Sequence, residues 1–255
     1  MKNNEIALRP SYWAAVSGGK DSLFMLNLIL HNLDKYPLDG VVHYELEIDY
    51  PFIKEVIDYM ETECNRYGIP FVRIKPTTTW EELYKKYGFP TRVMRWCNDK
   101  YKTTAKKVLD QYLEARGFYL VLYIGYCADE EKRFTKRTSL QKVECYPLVD
   151  AGIKEQVVLD WAKEQPIFNN YYKTQKRCGC MYCPMASYLN LAYLYKYYPA
   201  NFNFMIQRMK ESEDRLFKKF GRKITIRSGN YSADYVDRIV KEKWKKILEE
   251  KEKNA

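Results

Sequence analysis

The chain contains no run of about 18 apolar residues, so no membrane-spanning helix is expected. Its first residues, Met1-Lys2-Asn3-Asn4-Glu5, lack the apolar core of a secretory signal, and a cytoplasmic protein is the expectation. Internal repeats and low-complexity linkers are absent. Neither common nucleotide loop occurs: there is no G-x-x-x-x-G-K-[ST] and no G-x-G-x-x-G. The cysteines number seven, an odd count that argues against a disulfide framework. None of them follows Cys183.

What is present suits a globular protein. Of the 255 residues, 46% are hydrophobic and 30% charged, enough for a sizeable core. Forty-three basic residues against 33 acidic ones give a formal charge of +10. That balance favours anionic partners, either nucleotides or nucleic acid. The 24 tyrosines suit base stacking or, more simply, half-buried rings with a wet hydroxyl.

One stretch organises the rest: Ser17-Gly18-Gly19-Lys20-Asp21-Ser22. An apolar run, Tyr12 to Val16, precedes it, and a helix-like run, Leu23 to Leu30, follows. Strand, glycine turn and helix together make a phosphate site. Glycines let the backbone approach an anion, and the N–H groups at the helix start point at it. Ser17 and Ser22 offer hydroxyls, Lys20 a charge, and Asp21 a carboxylate for a metal ion or for ordering the loop. The alternative is an ordinary Gly-Gly turn with a capping serine.

Further strands are expected at Gly40–Tyr44, Phe71–Ile74, Phe118–Gly125 and Val143–Leu148. Phe52, Ile53, Val56, Ile57, Met60 and Cys64 recur at helical spacing, and Gly68-Ile69-Pro70 ends that helix. A short helix should open at Thr77–Trp80, another run from about Lys100 to Ala115, and a third span Val157–Lys163. Alternating strands and helices imply an α/β fold with a parallel sheet, whose ligands lie beyond the carboxyl ends of the strands. Tyr126-Cys127-Ala128-Asp129-Glu130 falls at such an end and is read either as a ligand loop or as a charged surface loop. From Ala186 onward the chain reads as helices. Their apolar faces include Leu191 and Leu194, then Ile206, Met209 and Phe217, then Val236, Val240 and Leu248. The expected division is 1–185 for the α/β domain and 186–255 for the helical region.

The hexapeptide resembles the pyrophosphate loop of the PP-loop ATP pyrophosphatases. Together with Arg95-Trp96-Cys97, Ala128-Asp129-Glu130 and Gly179-Cys180-Met181-Tyr182-Cys183-Pro184, it resembles the phosphoadenosine phosphosulfate reductase-like branch of that superfamily. The resemblance covers roughly residues 10–185. It implies an adenine nucleotide alpha-hydrolase-like sheet that binds ATP with Mg2+. The branch also contains sulfate adenylyltransferase small subunits and the ATPases of DNA phosphorothioation.

Three departures bear on activity. Sulfonucleotide reductases usually carry a worn loop, whereas Ser17–Ser22 is intact. They attack with a cysteine in a C-terminal tail, and none exists here. Cys127 stands where relatives often place arginine. The first two favour a true ATP pyrophosphatase; the third leaves the substrate pocket open.

The implied reaction is adenylyl transfer. Lys20, Asp21 and Arg133 are the candidate catalytic residues. Ser17, Gly18, Gly19 and Ser22, with Lys20 and Asp21, would hold phosphate, and Arg95, Lys102 and Arg137 would meet the substrate's negative charge. A sulfur donor protein and DNA or RNA are the implied partners.

Cys97, Cys178, Cys180 and Cys183 are the candidate metal ligands. Four thiolates suit a [4Fe–4S] cluster or Zn2+. Where iron–sulfur relatives usually show a second adjacent cysteine, this chain has Asn98. Redox or sulfur-carrying thiols, and plain packing, stay open as alternatives. Competing functions are a sulfonucleotide reductase and a non-catalytic nucleotide- or nucleic-acid-binding module.

Overall fold

The computed structural model describes residues 8–130, 138–139, 142–221 and 232–252. They form two compact units that interleave along the chain. The first comprises residues up to Glu45, Pro51–Pro76 and Thr104–Asn169; the second comprises Leu46–Tyr50, Thr77–Thr103 and the residues from Asn170 on.

The first unit holds the sheet: β1 (Arg9–Val16), β2 (Gly40–Tyr44), β3 (Phe71–Ile74), β4 (Phe118–Tyr123), β5 (Thr138–Ser139) and β6 (Lys142–Cys145). The spatial order is β3-β2-β1-β4-β6-β5, with β5 antiparallel to β6 and every other pairing parallel. The expected α/β fold with a parallel sheet is therefore the observed one. β1 is central: the chain winds outward to β3 on one side, then returns beside β1 as β4. That reversal creates a crevice at the carboxyl ends of β1 and β4, where open α/β sheets bind ligands.

Trp13, Val42, Leu120 and Leu122 of the sheet bury themselves with Leu109 and Leu113 of α4 (Thr103–Glu114). α1 (Lys20–Leu30) buries Leu23, Met25, Leu26, Ile29 and Leu30. Each such side chain contributes about 1.5–3 kcal/mol by leaving water, so the loop before α1 is anchored by the helix behind it. α2 (Pro51–Arg66) buries the six residues whose spacing announced it.

Two expected strand ends lie elsewhere. β4 stops at Tyr123, leaving Gly125 in a loop. The last expected strand stops at Cys145, because Pro147 opens a short helix, α5 (Pro147–Asp150). Proline is preorganised for a first helical turn and cannot donate to a strand ladder. α6 (Glu155–Lys163) follows.

The second unit is helical: α3 (Trp80–Tyr87), a π-helical turn (Cys97–Lys102), α7 (Tyr171–Thr174), α8 (Tyr188–Tyr197), α9 (Pro199–Phe220) and α10 (Ala233–Glu252). α3 starts on a capping box, Thr79 with Glu82, and α8 on another, Ser187 with Asn190. Leu191, Leu194, Met205, Met209, Val236 and Val240 are buried there. Phe217 is 54% exposed instead, in the last turn of α9, beyond the helix's buried residues. Tyr171 packs its ring on Tyr193 at 4.8 Å and on Tyr50 at 5.6 Å, so several tyrosines here are core residues. No helix among the described residues is long and apolar enough to cross a membrane.

Candidate functional sites

In the first unit, the turn after β1 has the form its residues demand. Gly18 takes φ +72°, a left-handed conformation open to glycine, and a Cβ there would meet Ile53 Cγ2 at 2.7 Å. Gly19 occupies the position before α1 and supplies no side-chain cap. The Ser22 hydroxyl closes the loop: it accepts from the Ser17 N–H at 3.2 Å and donates to the Gly19 carbonyl at 2.9 Å. Ser17 Oγ lies 3.4 Å from Ser22 Oγ. The start of α1 thus keeps the anion-favouring end of a helix over a glycine turn.

The loop after β4 closes on the same place. A Cβ on Gly125 would stand 2.8 Å from the Asp21 carbonyl oxygen and 3.2 Å from the Ser22 nitrogen. Only a glycine lets these two segments approach so closely.

Lys20 is 1% exposed. A buried lysine needs a partner. Its Nζ lies 2.6 Å from Asp21 Oδ1 and 3.6 Å from Glu155 Oε1, at the start of α6. Cys127 donates its thiol to the same Asp21 oxygen at 3.5 Å. Burial, reinforced by the Asp21 carboxylate, pushes the Cys127 thiol up to about 12. Glu130 accepts the Cys127 N–H at 3.2 Å, and Asp129 accepts the Glu155 N–H at 2.9 Å. The acids of the Ala-Asp-Glu segment thus brace the loop.

His43, at the carboxyl end of β2, is buried, and its Nδ1 lies 2.9 Å from the Val16 carbonyl, the last of β1. A carbonyl only accepts, so Nδ1 carries the proton. Burial lowers the His43 pKa. Its position at the carboxyl end of a parallel strand was the signal that could have singled it out.

The second unit holds a cavity of about 50 Å³, lined by Arg95, Cys97, Asn98, Lys102, Cys180 and Cys183 among others. The Cys180–Cys183 turn is closed by the Cys183 N–H donating to the Cys180 carbonyl at 3.2 Å. Lys102 Nζ lies 3.0 Å from Cys180 Sγ. Burial pushes the Cys180 thiol up to about 11, with Lys102 pulling the other way. Burial would lower the Lys102 pKa, but Cys180, Asp49 and Cys97 together outweigh it and the net direction is upward. Asp49, in the Leu46–Tyr50 segment, has its carboxyl pushed up to about 6 by burial, against Lys102.

Three of the four candidate ligand thiols therefore face one cavity, together with the expected anion-binding pair Arg95 and Lys102. Cys178 is not in that lining. Soft thiol sulfurs fit zinc or an iron–sulfur group in kind. In placement they do not close on one: among the described residues no group of three or more His, Cys, Asp or Glu side chains stands ready to hold a metal ion. Arg133 and Arg137 lie outside the described residues.

Residues 11–186 match the phosphoadenosine phosphosulfate reductase domain. The chain belongs to that family. Two proteins of Methanocaldococcus jannaschii are similar to it, both described as uncharacterized. MJ0066 is 28% identical over 195 residues, covering 72% of this chain and 38% of the relative. MJ0973 is 27% identical over 242 residues, covering 87% and 53%. The chain thus spans about half or less of the length of these relatives. Among solved structures, phosphoadenylyl-sulfate reductase from Candida auris, in a phosphate complex, matches at TM-score 0.40 and 17% identity, over 61% of this chain and 72% of that one. The U34-tRNA thiolase NcsA from Methanococcus maripaludis, with its [4Fe–4S] cluster, matches at TM-score 0.42 and 16% identity, over 95% and 73%. Within the family, this chain combines a complete Ser17–Ser22 loop with a Lys102–Cys180 pair.

Proposed function

We propose that the protein splits ATP into AMP and pyrophosphate to adenylylate an acceptor, in the service of sulfur transfer, with nucleic acid as the acceptor class. The observation that carries this reading is the Ser17–Ser22 loop, folded over the start of α1 at the crevice between β1 and β4.

The loop's N–H groups and the hydroxyls of Ser17 and Ser22 would bind the β and γ phosphates. Lys20 supplies the cation, already oriented by Asp21, so an incoming phosphate shares it with a carboxylate. An acceptor oxygen attacks the α phosphorus, the bond to the bridging oxygen breaks, and pyrophosphate leaves. A sulfur nucleophile then displaces AMP from the activated carbon. Magnesium bound with ATP supplies positive charge against the phosphate oxygens. Arg133 and Arg137 are retained as anion-binding candidates on sequence grounds.

The thiol cavity keeps a soft-metal role, zinc or a [4Fe–4S] cluster, on donor chemistry alone. Iron, sulfide and zinc would be measured in protein purified without oxygen. Stoichiometric metal that disappears in Cys183→Ser supports the role; metal-free protein removes it.

The test of the main reading is pyrophosphate release from ATP with magnesium and a pool of RNA or DNA acceptors. Lys20→Ala should abolish it. No release with any acceptor, combined with no ATP binding, would sink the proposal. The Lys102–Cys180 contact favours a second reading, a sulfonucleotide reductase, because the Lys102 ammonium offsets part of the burial that keeps the Cys180 thiol protonated. Thioredoxin-dependent sulfite release from phosphoadenosine phosphosulfate would support it.

A further inference from the structure

The segment from Thr91 to Lys102 carries four cations, Arg92, Arg95, Lys100 and Lys102, against one acid, Asp99. Its first part is a held turn. The Thr91 N–H donates to the Met94 carbonyl at 3.1 Å, and the Met94 N–H donates to Thr91 Oγ1 at 2.8 Å. Trp96 anchors the end of the turn: it is 3% exposed and donates its Nε1–H to the Gly88 carbonyl at 3.0 Å.

That turn holds apolar side chains out in water. Val93 is 96% exposed, the most exposed of the large apolar side chains described, and Met94 is 45% exposed. Arg92 and Arg95 flank them, both exposed. Arg95 also lines the thiol cavity, as does Met185, itself 47% exposed. Single exposed hydrophobes are ordinary on a protein surface. Two adjacent ones, fixed in a hydrogen-bonded turn between two arginines, one of which lines the thiol cavity, are not of that kind.

We infer that the Arg92–Arg95 turn docks a single-stranded nucleic acid, the two arginines on consecutive phosphates and Val93 and Met94 against base faces, with the strand held beside the thiol cavity that Arg95 lines. Charge complementarity selects the partner: four cations to one acid, on a chain of formal charge +10, match a polyanion. The apolar tip selects the unpaired form, because faces are available to apolar and guanidinium groups only where bases are unstacked. The inference rests on the proposed function only for the presence of a nucleic-acid acceptor, and its test needs no ATP.

The test is fluorescence anisotropy of the full chain with a labelled twelve-nucleotide single-stranded RNA, the same sequence as DNA, and its duplex, across salt concentrations. Both single strands, or the RNA alone, should bind more tightly than the duplex. Arg92→Glu/Arg95→Glu should weaken single-strand binding by tenfold or more, on the order of what two lost phosphate contacts give. It should also flatten the slope of log affinity against log salt by about 1.4, at about 0.7 per phosphate. Val93→Ser/Met94→Ser should weaken binding about fivefold at high salt, where the ionic part is screened. Lys243→Glu/Lys245→Glu on α10, with the same change in net charge, should stay within about twofold. Equal losses in the two charge-reversed variants would overturn the inference, because the effect would then be charge alone. So would duplex binding as tight as single-strand binding, or no binding at low salt. Pyrophosphate release on a small acceptor without oligonucleotide binding would retire this inference, and the nucleic-acid acceptor with it, and leave ATP cleavage standing. Binding without pyrophosphate release would do the reverse.

Discussion

The ammonium of Lys20 lies 2.6 Å from the carboxylate of Asp21, its neighbour in sequence, and the lysine is all but closed off from water. The cation that the loop would offer to phosphate is therefore held by a carboxylate, with Glu155 at 3.6 Å behind it. Lys20→Ala leaves two partly buried acids facing each other. It should cost about 1–3 kcal/mol of stability, less than for a fully buried pair because Asp21 and Glu155 keep some solvent. Urea unfolding measures it, and ATP binding should fall in parallel. An unchanged unfolding midpoint would mean that the ion pair is not made in solution.

Gly18 and Gly68 share a left-handed φ, +72° and +69°, but differ in surroundings. An alanine at Gly68 meets nothing within 4 Å, so only the backbone penalty of about 1–2 kcal/mol applies. At Gly18 the new Cβ also falls 2.7 Å from Ile53 Cγ2. Gly18→Ala should therefore lower the melting temperature more than Gly68→Ala and also weaken ATP binding, which Gly68→Ala should not touch. Equal melting temperatures would contradict the packing around the loop.

Cys127 is buried, its thiol pushed up to about 12 by that burial and by Asp21. Thiolate is the reactive form. At pH 8 the raised pKa alone makes alkylation about a thousandfold slower than at a free cysteine. Mass spectrometry after iodoacetamide should find Cys127 unmodified in native protein and modified after unfolding. Rapid native labelling would refute its placement against Asp21.

His43 donates Nδ1–H to the Val16 carbonyl, and burial lowers its pKa. The unfolded chain then binds the proton more readily than the folded one. Stability from this group is complete above about pH 6.5 and is lost as pH falls through the lower folded value. His43→Asn keeps a donor and removes the titration, so its stability should fall less between pH 7 and 5 than that of the parent. His43→Leu leaves the carbonyl unsatisfied and should cost about 1–3 kcal/mol at pH 7. Parallel pH profiles for His43→Asn and the parent would remove the assignment.

Much of this molecule is determined by local sequence. Phe52, Val56, Met60 and Cys64 recur with the helical period, so α2 was legible as a one-sided apolar helix. Gly18 between an apolar run and a helix specifies its own turn, because other residues resist its left-handed backbone. The Thr79–Glu82 capping box likewise marks its helix start. What only the tertiary structure decided concerns residues far apart in the chain. The approach of Gly125 to Asp21, the thiol of Cys127 on the same carboxylate, and the pairing of Lys102 with Cys180 across 78 positions carry no local signature. Nor does the interleaving that puts Asp49 with Lys102 in the second unit while His43, six residues earlier, serves the first. Periodicity and turn chemistry act within a few residues. Partner choice and pKa arise from burial and from contacts that exist only once the chain has closed on itself.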